Sequence, residues 1–214
     1  MKCFVLLALV LLFFSVPVFA GNFDHIKVSP QENRQIVIKA LESLAPRLQQ
    51  ALQGGRVEIV FGIGDAHGVA VASDAFGMEL EVQSVYVRWP AGSKTVKFPW
   101  GEMNLLHATR HELAHLALER IFIRNSSEWV GLVKALNQEG VGFLKKVAAG
   151  HRDAQGLGSP SSIAHHQALQ EYLASLVEHC GKPVRMPLPS SKKTRQMVEA
   201  LVRGGECDET ETKQ

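Results

Sequence analysis

From Ser29-Pro30 onward, apolar residues recur near helical spacing at Ile36, Ile38, Leu41, Leu44, Leu48 and Leu52, and Gly54-Gly55 closes the run. The pattern predicts one long amphipathic helix with a clear stop. Three β-branched segments come next, "RVEIVFG" (56–62), "GVAVASD" (68–74) and "ELEVQSVYVRWP" (79–90), separated by glycine-containing turns. They read as strands of a small twisted sheet, the third ended by Pro90. After "AGSKTVKFPWGE" the apolar spacing becomes helical and stays so to the C-terminus. Helices are expected over 103–123, 128–149, 162–180 and 191–203, with "AGHRDAQGLGSPSS" as the one long loop. The expected class is α+β: an N-terminal helix and a small sheet, followed by a helical half.

The first twenty residues change the picture of where this fold works. In "MKCFVLLALVLLFFSVPVFA", Lys2 supplies a short basic start, Cys3 to Phe14 an apolar stretch, and Val18 and Ala20 a small-residue cleavage pattern. Residues 1–20 are therefore expected to be a cleavable signal peptide. The apolar run falls short of the roughly 20 residues that span a bilayer, and Pro17 interrupts it, so no stable membrane span is expected after cleavage. The mature protein is expected to be secreted or periplasmic, with a single domain over 21–205 and a polar tail over 206–214. Of the 214 residues, 23 are Lys or Arg and 21 Asp or Glu, a formal charge of +2. The basic residues are scattered, which leaves no nucleic-acid footprint. Cys3 departs with the signal, leaving Cys180 and Cys207 as an even pair in an oxidising compartment. A disulfide and two free thiols both remain open.

"TRHELAHLAL", Thr109 to Leu118, carries the candidate chemistry. On a helix, residues four apart lie on one face, so His111 and His115 can aim their imidazoles at one point. Zinc accepts such nitrogens at about 2.0 to 2.1 Å. Glu112 points about 100° round the helix and can reach a metal-bound water as a general base without taking its place. A short motif of this kind also arises by chance. Here Leu105, Leu106, Leu113, Leu116, Ala117 and Leu118 make the helix strongly apolar. Two histidines and a glutamate on such a helix are costly to bury without a partner such as a metal.

A catalytic zinc takes three protein ligands and keeps an open position. Folding the helices back on one another brings either Glu139, in "ALNQEGVGFL", or Glu171, in "ALQEYLASLVE", level with the histidine pair. Helical geometry does not separate the two. "QEYLASLVE" resembles the third-ligand helix of the zinc peptidase group that contains the Mlc titration factor and the anthrax lethal factor catalytic domain. In that group Glu, two bulky apolar residues and Ala recur in order, here Glu171, Tyr172, Leu173 and Ala174, with Glu178 where the titration factor has a second glutamate. The interval from His115 and the helix "EWVGLVKALN" are also similar, and the likeness covers roughly Met103 to Cys180. The resemblance implies a zincin-like metallopeptidase with Zn2+ on His111, His115 and Glu171 and with Glu112 as base. It also implies an extended peptide or protein substrate guided by a strand at the sheet edge, for which "SVYVRW" is the candidate.

The chain departs from that group at one position. A tyrosine seven residues before the third ligand steadies the tetrahedral intermediate there, and this chain has Ala164. His165 and His166 stand beside it and can donate to an oxyanion, or face solvent at a helix start. His25, His67, His107, His151 and His179 show no ligand spacing with one another and read as surface or lightly buried residues. A zincin-fold binding protein, catalytically weak or inactive, is the reading from another class; the intact Glu112 counts against it. "GIGDAHG" lacks a following Lys-Ser or Lys-Thr and reads as a turn, and there is no Gly-x-Ser-x-Gly elbow.

Overall fold

The computed structural model describes residues 23–65, 67–71, 82–98, 101–150, 157, 162–179 and 186–204, and over these the chain is α+β. The expected signal segment, most of the long loop, the polar tail, Cys180 and Cys207 lie outside the described residues. The first element is a strand, β1 (Ile26–Ser29), whose Ile26 and Val28 are buried and whose Lys27 and Ser29 are exposed. It pairs in parallel with β2 (Arg56–Ile63), with Ile26 opposite Val57. β2 pairs in parallel with β4 (Val82–Trp89), Ile59 opposite Val85, and β3 (His67–Val71) runs antiparallel along the other side of β4. The order is β1-β2-β4-β3.

That order corrects the expectation that "SVYVRW" lies at the sheet edge. Ser84 to Arg88 pair with β2 on one side and with β3 on the other, so among the described residues the edge strands are β1 and β3. The physical reason is pairing between segments distant in the chain: β4 has a partner strand on each side, and its alternation, with Val85, Val87 and Trp89 buried and Tyr86 and Arg88 exposed, shows only that one face of it is covered.

The expected single helix before the sheet is also divided. A 3₁₀ turn (Gln31–Asn33) leads into α1 (Arg34–Glu42), and α2 (Pro46–Leu52) follows a break at Ser43 to Ala45. Pro46 is the first residue of α2, and Ala45 before it is extended at ψ 143°. A proline disfavours the helical conformation in the residue preceding it and cannot donate back to the previous turn.

In place of a helix starting at Met103, an antiparallel hairpin forms from β5 (Thr95–Phe98) and β6 (Gly101–Asn104). It delivers the chain into α3 (Leu105–Arg124), whose first turn is capped by Asn104: its Oδ1 accepts from the His107 amide at 2.8 Å. The next expected helix is two, α4 (Ser126–Gln138) and α5 (Val141–Gly150), parted at Gly140, whose φ of +86° suits glycine. α6 (Ser162–Glu178) and α7 (Lys192–Val202) complete the described chain.

α3 is the hub. It packs against α1, α2, α4 and α6 and against β3 and β4, and its buried residues run all round its circumference. Leu113, Leu116 and Leu118 meet Leu41, Leu44, Leu48 and Leu52 from the N-terminal helices, Val57, Ile59, Val85 and Val87 from the sheet, and Leu169, Leu173 and Leu176 from α6 in one core. Two buried arginines on α3 are satisfied by polar groups. Arg110 donates to Ser43 Oγ at 2.7 Å and to the Glu178 carbonyl at 3.1 Å. Arg120 donates to Gln83 Oε1 at 2.5 Å and to the carbonyls of Ala51 and Gly54 at 3.0 and 3.1 Å. Among the described residues no helix is long and apolar enough to cross a membrane.

Candidate metal centre

Polar side chains line one stripe of the contact between α3 and α6. Because α3 advances one turn in about four residues, His107, His111, His115 and Glu119 lie in line on one face. α6 runs antiparallel to it, so its residues are met in reverse order: Glu119 meets His166 and Gln170, His115 meets Glu171, His111 meets Glu171 and Glu178, and His107 meets His179, just past the helix end. A ladder of imidazoles and carboxylates thus runs through the centre of the protein.

The middle of the ladder joins His111, His115 and Glu171. His115 Nε2 stands 3.0 Å from His111 Nε2, with the rings nearly perpendicular at 74°. Glu171 reaches both: Oε2 lies 3.4 Å from His111 Nε2 and Oε1 lies 3.4 Å from His115 Nε2. Donor atoms held about 2.0 to 2.2 Å from one tetrahedral ion stand roughly 3.3 to 3.6 Å apart. The observed spacings are close to those edges, so the donor set fits a divalent metal. The His111 side chain is 9 % exposed, that of His115 13 % and that of Glu171 22 %, so the cluster is sheltered yet opens on the Glu171 side.

Charges are coupled here. Burial by itself lowers the pKa of His111, but the carboxylates of Glu171 and Glu178 outweigh it and raise it well above the ordinary histidine value, with help from the charge of Glu112. Burial by itself raises the pKa of Glu171, and its two histidine partners pull it far below the usual carboxylate range. Glu112 is itself buried, 8 % exposed, next in sequence to His111. Beyond the first histidine, Glu178 Oε2 lies 3.4 Å from His111 Nδ1. A carboxylate on Nδ1 keeps the proton there and leaves Nε2 to face the other donors.

The remaining sequence candidates fall elsewhere. The Glu139 carboxylate accepts from Ser190 Oγ at 2.6 Å, from the Ser190 amide at 2.7 Å and from the Ser191 amide, just ahead of α7, so it is not part of the cluster. His166 lies one turn along the ladder, with Nε2 2.9 Å from Glu119 Oε2 and its ring beside Trp129 at 5.2 Å between centroids. Gln170 bonds to both His166 and Glu119, and the Glu119 pKa is lowered, chiefly by the hydrogen bond with His166. His165 belongs to α6, and its side chain lies outside those described. Tyr172, next to Glu171, turns away and donates its hydroxyl to the Pro187 carbonyl at 2.8 Å.

Two histidines read from sequence as surface or lightly buried are partly buried and also belong to the ladder. His179 has a side chain only 11 % exposed, with Nε2 3.2 Å from Glu178 Oε1, and the His107 ring meets it edge-on at 5.3 Å. Placing His107 four residues before His111 extends the same helical stripe, a signal present in the sequence. No protein-family model matches the chain, and neither does any curated protein or solved structure.

Proposed function

We propose that the protein is an exported zinc metallopeptidase with a zincin-like domain, similar to the group of the Mlc titration factor and the lethal factor catalytic domain. The observation that carries this reading is the convergence of His111 Nε2, His115 Nε2 and both Glu171 oxygens at separations of 3.0 to 3.4 Å, with Glu112 buried beside them. His111, His115 and Glu171 would hold the zinc and leave a fourth position open. Bound zinc supplies Lewis acidity, polarising the scissile carbonyl and bringing the pKa of water toward about 7. Glu112 takes the proton of the attacking water and returns it to the leaving amine. Glu178 holds His111 in the tautomer whose Nε2 faces Glu171. An extended peptide would add as a further strand along the side of β3 that has no partner among the described residues; β3 packs beside α3. Export rests on the signal pattern of residues 1–20.

A second reading, a zincin-fold protein that binds a peptide or protein partner with weak or no catalysis, is favoured by one observation. Ala164 stands where the resemblance places a tyrosine, and His166, near that position, is engaged by the Glu119 carboxylate. Peptide hydrolysis and zinc content of Glu112→Gln and His111→Ala separate the readings. As a peptidase, Glu112→Gln loses about 10² to 10⁴ in rate while keeping its zinc, and His111→Ala loses activity and the zinc of this cluster together. Undiminished hydrolysis in Glu112→Gln rules the mechanism out. A zinc-loaded protein that hydrolyses no peptide leaves the binding reading.

A further inference from the structure

The upper end of the ladder repeats the chemistry of its middle. His107, on the first turn of α3, and Glu178 and His179, at the end of α6, each offer one ligand atom, and the three lie within 4.8 Å of one another. Glu178 Oε1 is 3.2 Å from His179 Nε2, already close to the edge of a tetrahedral coordination shell. The side chain of Glu178 is 3 % exposed and that of His179 11 %, so the donors sit in the interior and not on a solvated face. A carboxylate and two imidazoles suit borderline divalent ions of the zinc class, not calcium or magnesium, which prefer oxygen.

We infer that His107, Glu178 and His179 form a second divalent-metal site, joined to the first cluster through the Glu178 carboxylate. Oε1 of Glu178 serves the second ion and Oε2 stays on His111 Nδ1, so one carboxylate spans both centres. An ion there pins the start of α3 to the end of α6 and offsets the buried charge of Glu178. It also fixes the orientation of His111, since the carboxylate beside Nδ1 can no longer swing. The inference goes beyond the peptidase reading and does not depend on it, because none of the three ligands belongs to His111, His115 or Glu171.

Zinc stoichiometry of the full mature chain tests it, after stripping with chelator, reloading with zinc and desalting, with circular dichroism as the check on folding. The wild type is expected to hold two zinc ions per chain, His107→Asn and His179→Gln one each, and His115→Ala one. A two-step cobalt titration of the wild type, read by visible absorption, reports the same count without any substitution. If His115→Ala keeps all the metal of the wild type while His179→Gln loses one ion, the peptidase site fails and the second site stands. If the wild type binds one ion that His179→Gln retains, the second site is overturned. A second ion that survives both His107→Asn and His179→Gln is bound elsewhere and overturns it equally. Loss of all metal from natively folded His115→Ala and His179→Gln means one shared site, again against the inference.

Discussion

Glu171 meets each histidine with a different oxygen, and this bridging geometry explains why its removal should be felt so sharply. Without it the two Nε2 atoms, 3.0 Å apart, face each other with no anion between them. Glu139 is spent on three groups ahead of α7 and offers nothing to the pair. Glu171→Ala is therefore expected to weaken zinc binding by at least about tenfold, the scale on which even outer-shell partners act, and Glu139→Ala to leave it nearly unchanged. A chelator competition with the stripped protein measures both; the opposite ranking would assign the third ligand to Glu139. The histidine pair and its glutamate neighbour were legible in the sequence because four-residue spacing is a local code. The choice between Glu139 and Glu171 was not legible from the residues, since it depends on which helix lies against α3. His107 was readable by the same local code, whereas His179 was not, because its partners approach from a distant part of the chain.

At the scale of elements, periodicity told helix from strand but not where one helix becomes two. Pro46 and Gly140 sit inside apolar runs that continue on both sides, so hydrophobic spacing passes over breaks that backbone chemistry enforces. The hairpin of β5 and β6 is short enough that its alternation merges with the helix it introduces. Strand order is decided by pairing across distant segments, which is why β4 emerges as an inner strand. Besides the shared apolar core, the side chain of Arg120 ties those segments to α3, reaching the end of α2, the turn before β2 and Gln83 on β4. Gly55 marks how closely the turn approaches: a Cβ there would lie 3.4 Å from Arg120 Nη2. Arg120→Met keeps the aliphatic stem but leaves the buried Ala51 carbonyl and the Gly54 carbonyl without their donor. Losing such bonds should cost about 1 to 3 kcal/mol, measured as a lowered denaturant midpoint at unchanged slope. A midpoint equal to the wild type would mean that packing alone keeps the sheet on α3.

Over the whole molecule, the candidate site is built on α3 and α6, and its precision depends on how the elements packed around α3 are locked. α7 lies against α2, α4 and α6, and its start is held by the Glu139 carboxylate through Ser190 and Ser191. Its end is locked differently. Gly204, two residues past α7, comes so close to the break between α1 and α2 that an added Cβ would stand 1.9 Å from the Ser43 carbonyl oxygen and 3.0 Å from the Leu44 carbonyl carbon. Both are backbone atoms and cannot swing aside as a flexible side chain would. Ser43 is in turn the acceptor for buried Arg110 on α3, next to His111, so the chain end, the helix break and the metal-binding helix are mechanically joined. Gly204→Ala must therefore push the chain end off the α1–α2 break or shift Ser43. The expected loss is about 1 to 3 kcal/mol, the cost of overpacking a filled interior. Thermal unfolding of the two proteins measures it. The route of the strain can be read separately: if Ser43 moves, Arg110 and the start of the His111 turn move with it, and zinc affinity falls along with stability. If only the chain end lifts, stability falls and zinc affinity stays at the wild-type value. A Gly204→Ala protein as stable as the wild type would show that this contact does not close the fold.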